Sequence, residues 1–104
     1  ITTNLELEQA LAKNNKVYVQ FSAGWCGPCR ALTKYIEDNK DQHTDIKFFK
    51  VDVEKCEPAM LEKYSVASLP KSVLFENEKL IGDFLGFNPS KFGSMMRKYG
   101  TGGL

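Results

Sequence analysis

Apolar residues recur along this chain at two spacings, helical and strand-like, and the spacing switches several times. Leu7, Ala10 and Leu11 share one helical face. Ahead of them, Thr3 followed by Glu6 has the pattern of a capping box, in which two side chains satisfy free backbone N–H groups at a helix start. A helix is therefore predicted from about Asn4 to Asn14. Lys16 to Ser22 is rich in Val, Tyr and Phe and reads as a strand. Ala23-Gly24-Trp25 is a loop, and a second helix runs from Cys26 to about Asn39 with Leu32, Tyr35 and Ile36 as its apolar stripe. Pro28 fits its first turn, where a missing N–H costs little. Ile46 to Val53 is another strand, and Pro58 opens a short helix through about Tyr64. Ser72 to Phe75 and Leu80 to Leu85 are strands joined around Asn77-Glu78 as a hairpin. Ser90 to Tyr99 is helical, with Phe92, Met95, Met96 and Tyr99 forming a packing stripe.

Strands alternating with helices imply parallel pairing and helices on both faces of a sheet. The hairpin adds an antiparallel edge. The expected architecture is α/β, a central mixed sheet of four to five strands flanked by four helices on both faces. Ile1 to Thr3 is the candidate for the fifth strand, at an edge.

Length and charge narrow the function. A chain of 104 residues makes one domain, 1–104, with a flexible tail expected at 100–104 after Gly100 ends the last helix. Hydrophobic residues at 42% and charged residues at 26% are enough for a folded core. Fourteen Lys plus Arg against thirteen Asp plus Glu give a net charge of +1, which lacks the footprint of a nucleic-acid binder. No apolar run nears the roughly 20 residues of a membrane helix. Three cysteines are too few, and the wrong parity, for a disulfide-stapled scaffold. The first residues show no basic region followed by an apolar one, although a removed leader leaves no trace. A reducing, cytoplasmic setting is expected, where cysteines tend to be catalytic, metal-binding or inert.

The candidate chemistry sits in Trp25-Cys26-Gly27-Pro28-Cys29. Two cysteines three apart at a helix start lie about one turn apart and can close into a disulfide with little backbone movement. The opening turn carries unpaired N–H groups and the positive end of the macrodipole. Both favour a thiolate at Cys26. Cys29, one turn deeper, should be shielded and keep its proton until needed. Cys26 is then the nucleophile that forms a mixed disulfide with substrate, and Cys29 resolves it. A zinc site would need two more ligands, and only His43 and Cys56 remain, not as a spaced pair. Haem attachment requires His after the second Cys, where Arg30 stands. Two inert buried cysteines fit poorly beside Gly27-Pro28 and a Trp.

Phe21-Ser22-Ala23-Gly24-Trp25-Cys26-Gly27-Pro28-Cys29-Arg30 resembles the active-site segment of the thioredoxin family. Lys50-Val51-Asp52-Val53, Ser68-Leu69-Pro70, the hairpin at Phe75-Glu76-Asn77-Glu78, and Gly86 continue the resemblance over about Asn4 to Tyr99. FSAGWCGPC and VDVEKC lean toward the family's cytosolic eukaryotic branch. The resemblance implies a thioredoxin fold, a cis Pro70 facing the cysteines, and a Leu69 backbone able to bond an extended substrate. Trp25 would flank the thiolate as a contact surface and Gly86 would lie near the groove. The implied activity is thiol–disulfide exchange that reduces protein disulfides, with the Cys26–Cys29 disulfide as the only redox group and no bound cofactor or metal. The implied partners are disulfide-containing proteins and an NADPH-dependent reductase, with the protein itself a monomer. A binding module using the same groove without redox turnover is the alternative; an oxidase or isomerase is disfavoured by Gly27-Pro28.

Several positions depart from the family pattern. Gln20 stands six residues before Cys26, where most members carry a buried Asp. Gln cannot act as a base, though it can hold a hydrogen bond. Lys50 matches a lysine near that acid and here is expected to reach solvent. Lys71 follows Pro70 where Thr is usual, and is expected either as a positive charge by the groove that favours acidic partners or as an ordinary solvated surface lysine. Glu78 replaces a hairpin Gly. Cys56 is expected either as a small buried hydrophobe or as an exposed regulatory thiol. His43, in a polar run, is expected in solvent.

Overall fold

The computed structural model describes residues 1–100 of the chain. In chain order the elements are α1 (Asn4–Lys13), β1 (Lys16–Ser22), α2 (Gly27–Asn39), β2 (Ile46–Asp52), α3 (Pro58–Lys63), β3 (Lys71–Glu76), β4 (Lys79–Leu85) and α4 (Pro89–Tyr99). A single 3₁₀ turn, Lys40–Gln42, follows α2.

Strand parity builds two cores. Successive side chains on a strand point to opposite faces. Val17, Val19 and Phe21 of β1 pack with Val73 and Phe75 of β3, Leu7 and Leu11 of α1, and Met60 of α3. Tyr18 of β1 and Leu74 of β3 pack on the other side with Leu32 and Ile36 of α2 and with Phe92, Met95 and Met96 of α4. Two helices thus cover each face of one four-stranded sheet, ordered β2-β1-β3-β4. The strands and helices expected between Asn4 and Tyr99 are present, with ends shifted by one residue at most.

β1 pairs in parallel with β2 and antiparallel with β3, and β3 pairs antiparallel with β4. The expectation of parallel pairing wherever a helix intervenes fails at β3. Helix α3 has six residues, about 9 Å of rise. A seven-residue strand is about 23 Å long. So short a helix does not carry the chain back along the sheet. β3 therefore begins where β2 ends, with Lys71 opposite Phe21 near the carboxyl end of β1, and runs the other way.

Ile1 to Thr3 do not form the fifth strand. Thr3 caps α1 instead, its hydroxyl accepting the Glu6 N–H at 3.1 Å, and the Thr2 carbonyl accepts the Glu57 N–H at 2.8 Å. The β3–β4 turn holds Asn77 and Glu78 at φ 51° and 70°. Both values are left-handed, as a two-residue hairpin of matching twist requires. Glu78 bears the strain that a glycine would avoid. Gly100 closes α4, donating to the Met96 carbonyl at 2.7 Å. A Cβ there would lie 2.8 Å from that carbonyl, so the close approach requires glycine. Of the tail expected at 100–104, Gly100 is buried and bonded to α4, and 101–104 lie outside the described residues.

Candidate active site

The site lies where β1 and β2 end and β3 begins. Ala23-Gly24-Trp25 leaves β1 and turns into α2. Cys26 is not itself helical; it caps the helix, with extended backbone at φ −90° and ψ 110°. Its Sγ accepts the Cys29 N–H at 3.2 Å. Sulfur here occupies the place that a Ser or Asp oxygen takes at most caps. No acidic residue lies in the first turn of α2, so no carboxylate of that turn offsets the positive end of the helix. Pro28 sits in that turn. Arg30 Nη1 donates to the Gly24 carbonyl at 2.7 Å and ties the loop to the helix it feeds.

Cys26 and Cys29 are joined as a disulfide, with Cα atoms 5.2 Å apart. Both are buried, Cys29 the more deeply. Cys26 opens onto a groove of about 440 Å³ lined by Trp25, Val53, Leu61, Val66, Ala67, Ser68 and Leu69. Trp25 is 69% exposed, so it is a wall of this groove and not a core residue. The Leu69–Pro70 peptide bond is cis, and Pro70 is fully buried. Gly86, at φ 81°, donates its N–H to the Pro70 carbonyl at 2.8 Å. A Cβ at Gly86 would meet nothing within 4 Å, so its backbone conformation and not space favours glycine.

Behind the disulfide, Gln20 is buried on the α2 side of β1. Its Nε2 donates to the Cys29 carbonyl at 3.1 Å, and its Oε1 accepts the Thr33 hydroxyl at 3.3 Å. Both ends of the amide are satisfied and neither is bonded to a sulfur. Among the described residues, the buried polar side chains include no carboxylate. Lys50 pairs in register with Gln20 across the sheet and is exposed. It borders a cavity of about 400 Å³ that also reaches Cys29, Thr33 and Asp52.

Two expectations are corrected. Lys71 is not a solvated charge beside the groove. It is 9% exposed, and its Nζ donates to the carbonyls of Tyr64 at 2.7 Å and Ser65 at 3.2 Å, with Asp83 Oδ2 at 3.9 Å. Strand parity explains the burial, since Lys71 shares its face with the core residues Val73 and Phe75. His43 is not solvent-borne either; it is half-buried and its ring packs edge-on against Phe92, 6.2 Å between centroids. Cys56 is half-buried against the α1/α3 core, with Val53 O 3.8 Å from its Sγ. Burial pushes its thiol up in pKa, opposed in part by a backbone hydrogen bond and reinforced by the Asp52 and Glu57 carboxylates. Among the described residues, no three His, Cys, Asp or Glu side chains gather as a metal site.

Sequence reasoning did not name Thr33, Leu61 or Val66. Thr33 was within reach: it lies four residues after Cys29, on the same helical stripe. Leu61 and Val66 were not, because apolar groove walls and core positions share one pattern.

The comparisons agree with this geometry. The thioredoxin family model matches residues 1–98. Relatives include a thioredoxin of Mycoplasmoides gallisepticum, 38% identical over 89 residues, covering 86% of this chain and 88% of that one. Thioredoxin-1 of Saccharomyces cerevisiae is 34% identical over 88 residues, covering 85% and 84%. The solved thioredoxin of Plasmodium falciparum superposes with a TM-score of 0.87 at 30% identity, over 95% of this chain and 96% of that one. The chain belongs to the thioredoxin family. With its Cys26–Cys29 pair it is a thiol–disulfide oxidoreductase of the protein-disulfide reductase class.

Proposed function

We propose that Cys26 is the attacking sulfur and Cys29 the resolving one. The observation that carries this assignment is the Cys29 N–H held on Cys26 Sγ at 3.2 Å, at a helix cap that opens onto an apolar groove. That donor and the helix end stabilise negative charge at Cys26. In the reduced protein, Cys26 thiolate attacks one sulfur of a substrate disulfide and expels the other as a thiolate, leaving a mixed disulfide. Cys29 then loses its proton and attacks Cys26 Sγ. The second substrate sulfur leaves, and two protons complete the substrate dithiol. Two electrons have passed from the cysteine pair to the substrate, and the pair is again a disulfide.

Trp25 and Leu69 supply contact surface on either side of Cys26, and backbone at Leu69 serves an extended substrate segment by strand addition. Pro70 and Gly86 hold that backbone in place, and Gly27-Pro28 shape the approach to the sulfurs. Gln20 and Lys50 tune the pair from behind. Cys56, half-buried against the α1/α3 core, serves packing. Turnover needs a reductant; an NADPH-dependent reductase presenting its own dithiol to the same groove is the partner of the right chemistry. The protein acts as a monomer in a reducing compartment such as the cytoplasm. No helix among the described residues is long and apolar enough to cross a membrane.

Reduction of insulin disulfides by dithiothreitol tests the assignment. The wild-type chain accelerates the reaction and Cys26→Ser returns it to the rate of dithiothreitol alone. A Cys26→Ser protein as active as wild type would end the assignment. Equal inactivity of both would favour the binding-module reading.

A further inference from the structure

The segment between α3 and β3 forms one wall of the groove, and it is held at both ends by a single residue. Lys71 begins β3, paired through its backbone with Phe21 and Leu85. Its side chain runs back across the sheet face to the other end of the segment, where Nζ donates to Tyr64 O at 2.7 Å and Ser65 O at 3.2 Å. Those carbonyls lie just past the end of α3, where backbone acceptors are left over and the helix end is negative. Ser65 has φ 54°, a left-handed conformation that a residue other than glycine adopts at a cost. Charge-assisted bonds to both carbonyls offset that cost. Asp83 Oδ2, 3.9 Å away, faces the same ammonium from β4.

We propose that Lys71 is a positioning residue for substrate: a clamp that closes the 66–70 segment on itself and holds Leu69 in register with Cys26. The inference rests on the groove being the substrate site of the reductase. Ordering this segment before substrate arrives removes an entropic cost from binding. The ammonium does this from beneath the wall, touching neither cysteine. A long side chain with a cationic tip is required, since the span runs from β3 to the end of α3. A short hydroxyl at this position would not reach.

Lys71→Met keeps the stem and removes the charge and its donors; Lys71→Arg keeps a cation. With insulin as substrate and dithiothreitol as reductant, Lys71→Met raises KM by about three- to tenfold and changes kcat far less. Lys71→Arg recovers most of that loss. Amide hydrogen exchange at 66–69 quickens in Lys71→Met, while the amides of Val19 and Phe21 in β1 keep their protection. An unchanged KM, a fall in kcat alone, or unchanged exchange at 66–69 would overturn the clamp. So would loss of protection throughout β1, which would mean that Lys71 serves the whole fold. Failure of the wild-type chain to reduce insulin would strike the reductase reading, and the exchange comparison would still decide the clamp.

Discussion

Gln20 concentrates what is particular to this site at the scale of one residue. It sits behind the active disulfide, and both ends of its amide are engaged, on Cys29 O and on the Thr33 hydroxyl. A neutral amide adds no negative charge near Cys26. Replacing it with an acid adds one, and a like charge disfavours the thiolate. In reduced Gln20→Asp, the two groups titrate as a pair. The rising limb of disulfide reduction against pH then moves up by roughly one unit. The same change removes the donor to a buried carbonyl and lowers stability by about 1–3 kcal/mol. A superimposable pH–rate profile would show that Gln20 has no bearing on Cys26. Position 20 was legible as unusual from the sequence, but its partners were not, because they depend on which turn of α2 lies over β1. Lys71 was misread for a related reason. Lysine is rarely buried, but the two-residue parity that Lys71 shares with Val73 and Phe75 places it inside.

Among the elements, α1 shows how far local chemistry reaches. Thr3 and Glu6 cap each other as their spacing predicts, and Glu6 Oε1 also accepts the Thr2 N–H at 2.9 Å and the Thr2 hydroxyl at 2.7 Å. These bonds, the Thr2 hydroxyl first, hold the carboxyl well below its ordinary value of 4.5, at about 2. A carboxyl with a lowered folded pKa contributes stability that is present above its unfolded value. That contribution drains away as pH falls from 4.5 toward 2. Urea unfolding across this range should show wild type losing more stability on acidification than Glu6→Gln. Parallel losses would mean that the capping carboxylate carries no stability. The helices and strands were readable because each has a local signature, such as the capping box, Pro28 in a first turn, or the hairpin at Asn77-Glu78. The direction of β3 was not, because it follows from the shortness of α3 together with where β2 ends. The edge strand expected at Ile1 to Thr3 failed because capping claims Thr3 and a bond to Glu57 claims Thr2.

At the scale of the whole molecule, the fold brings separate parts to one end of the sheet. The β1 loop delivers Trp25, the start of α2 holds the cysteines with Cys26 as its cap, Val53 follows the end of β2, and the segment before β3 supplies Leu69 and Pro70. Ligand sites of open α/β sheets lie outside the carboxyl ends of their parallel strands, and this groove lies there too. The cysteine pair could be read from five residues, since two cysteines three apart at a helix start lie within disulfide reach in any fold. The groove could not, because its walls come from stretches distant in sequence, Trp25-Cys26, Val53, and Leu61 to Leu69. All of them serve one claim, that negative charge on Cys26 is easily formed. Titrating thiolate absorbance in the reduced protein, with Cys26→Ser as reference, tests it most directly. The account predicts a Cys26 ionisation clearly below the value of a free cysteine, about 8.5. Ionisation at or above that value would contradict it.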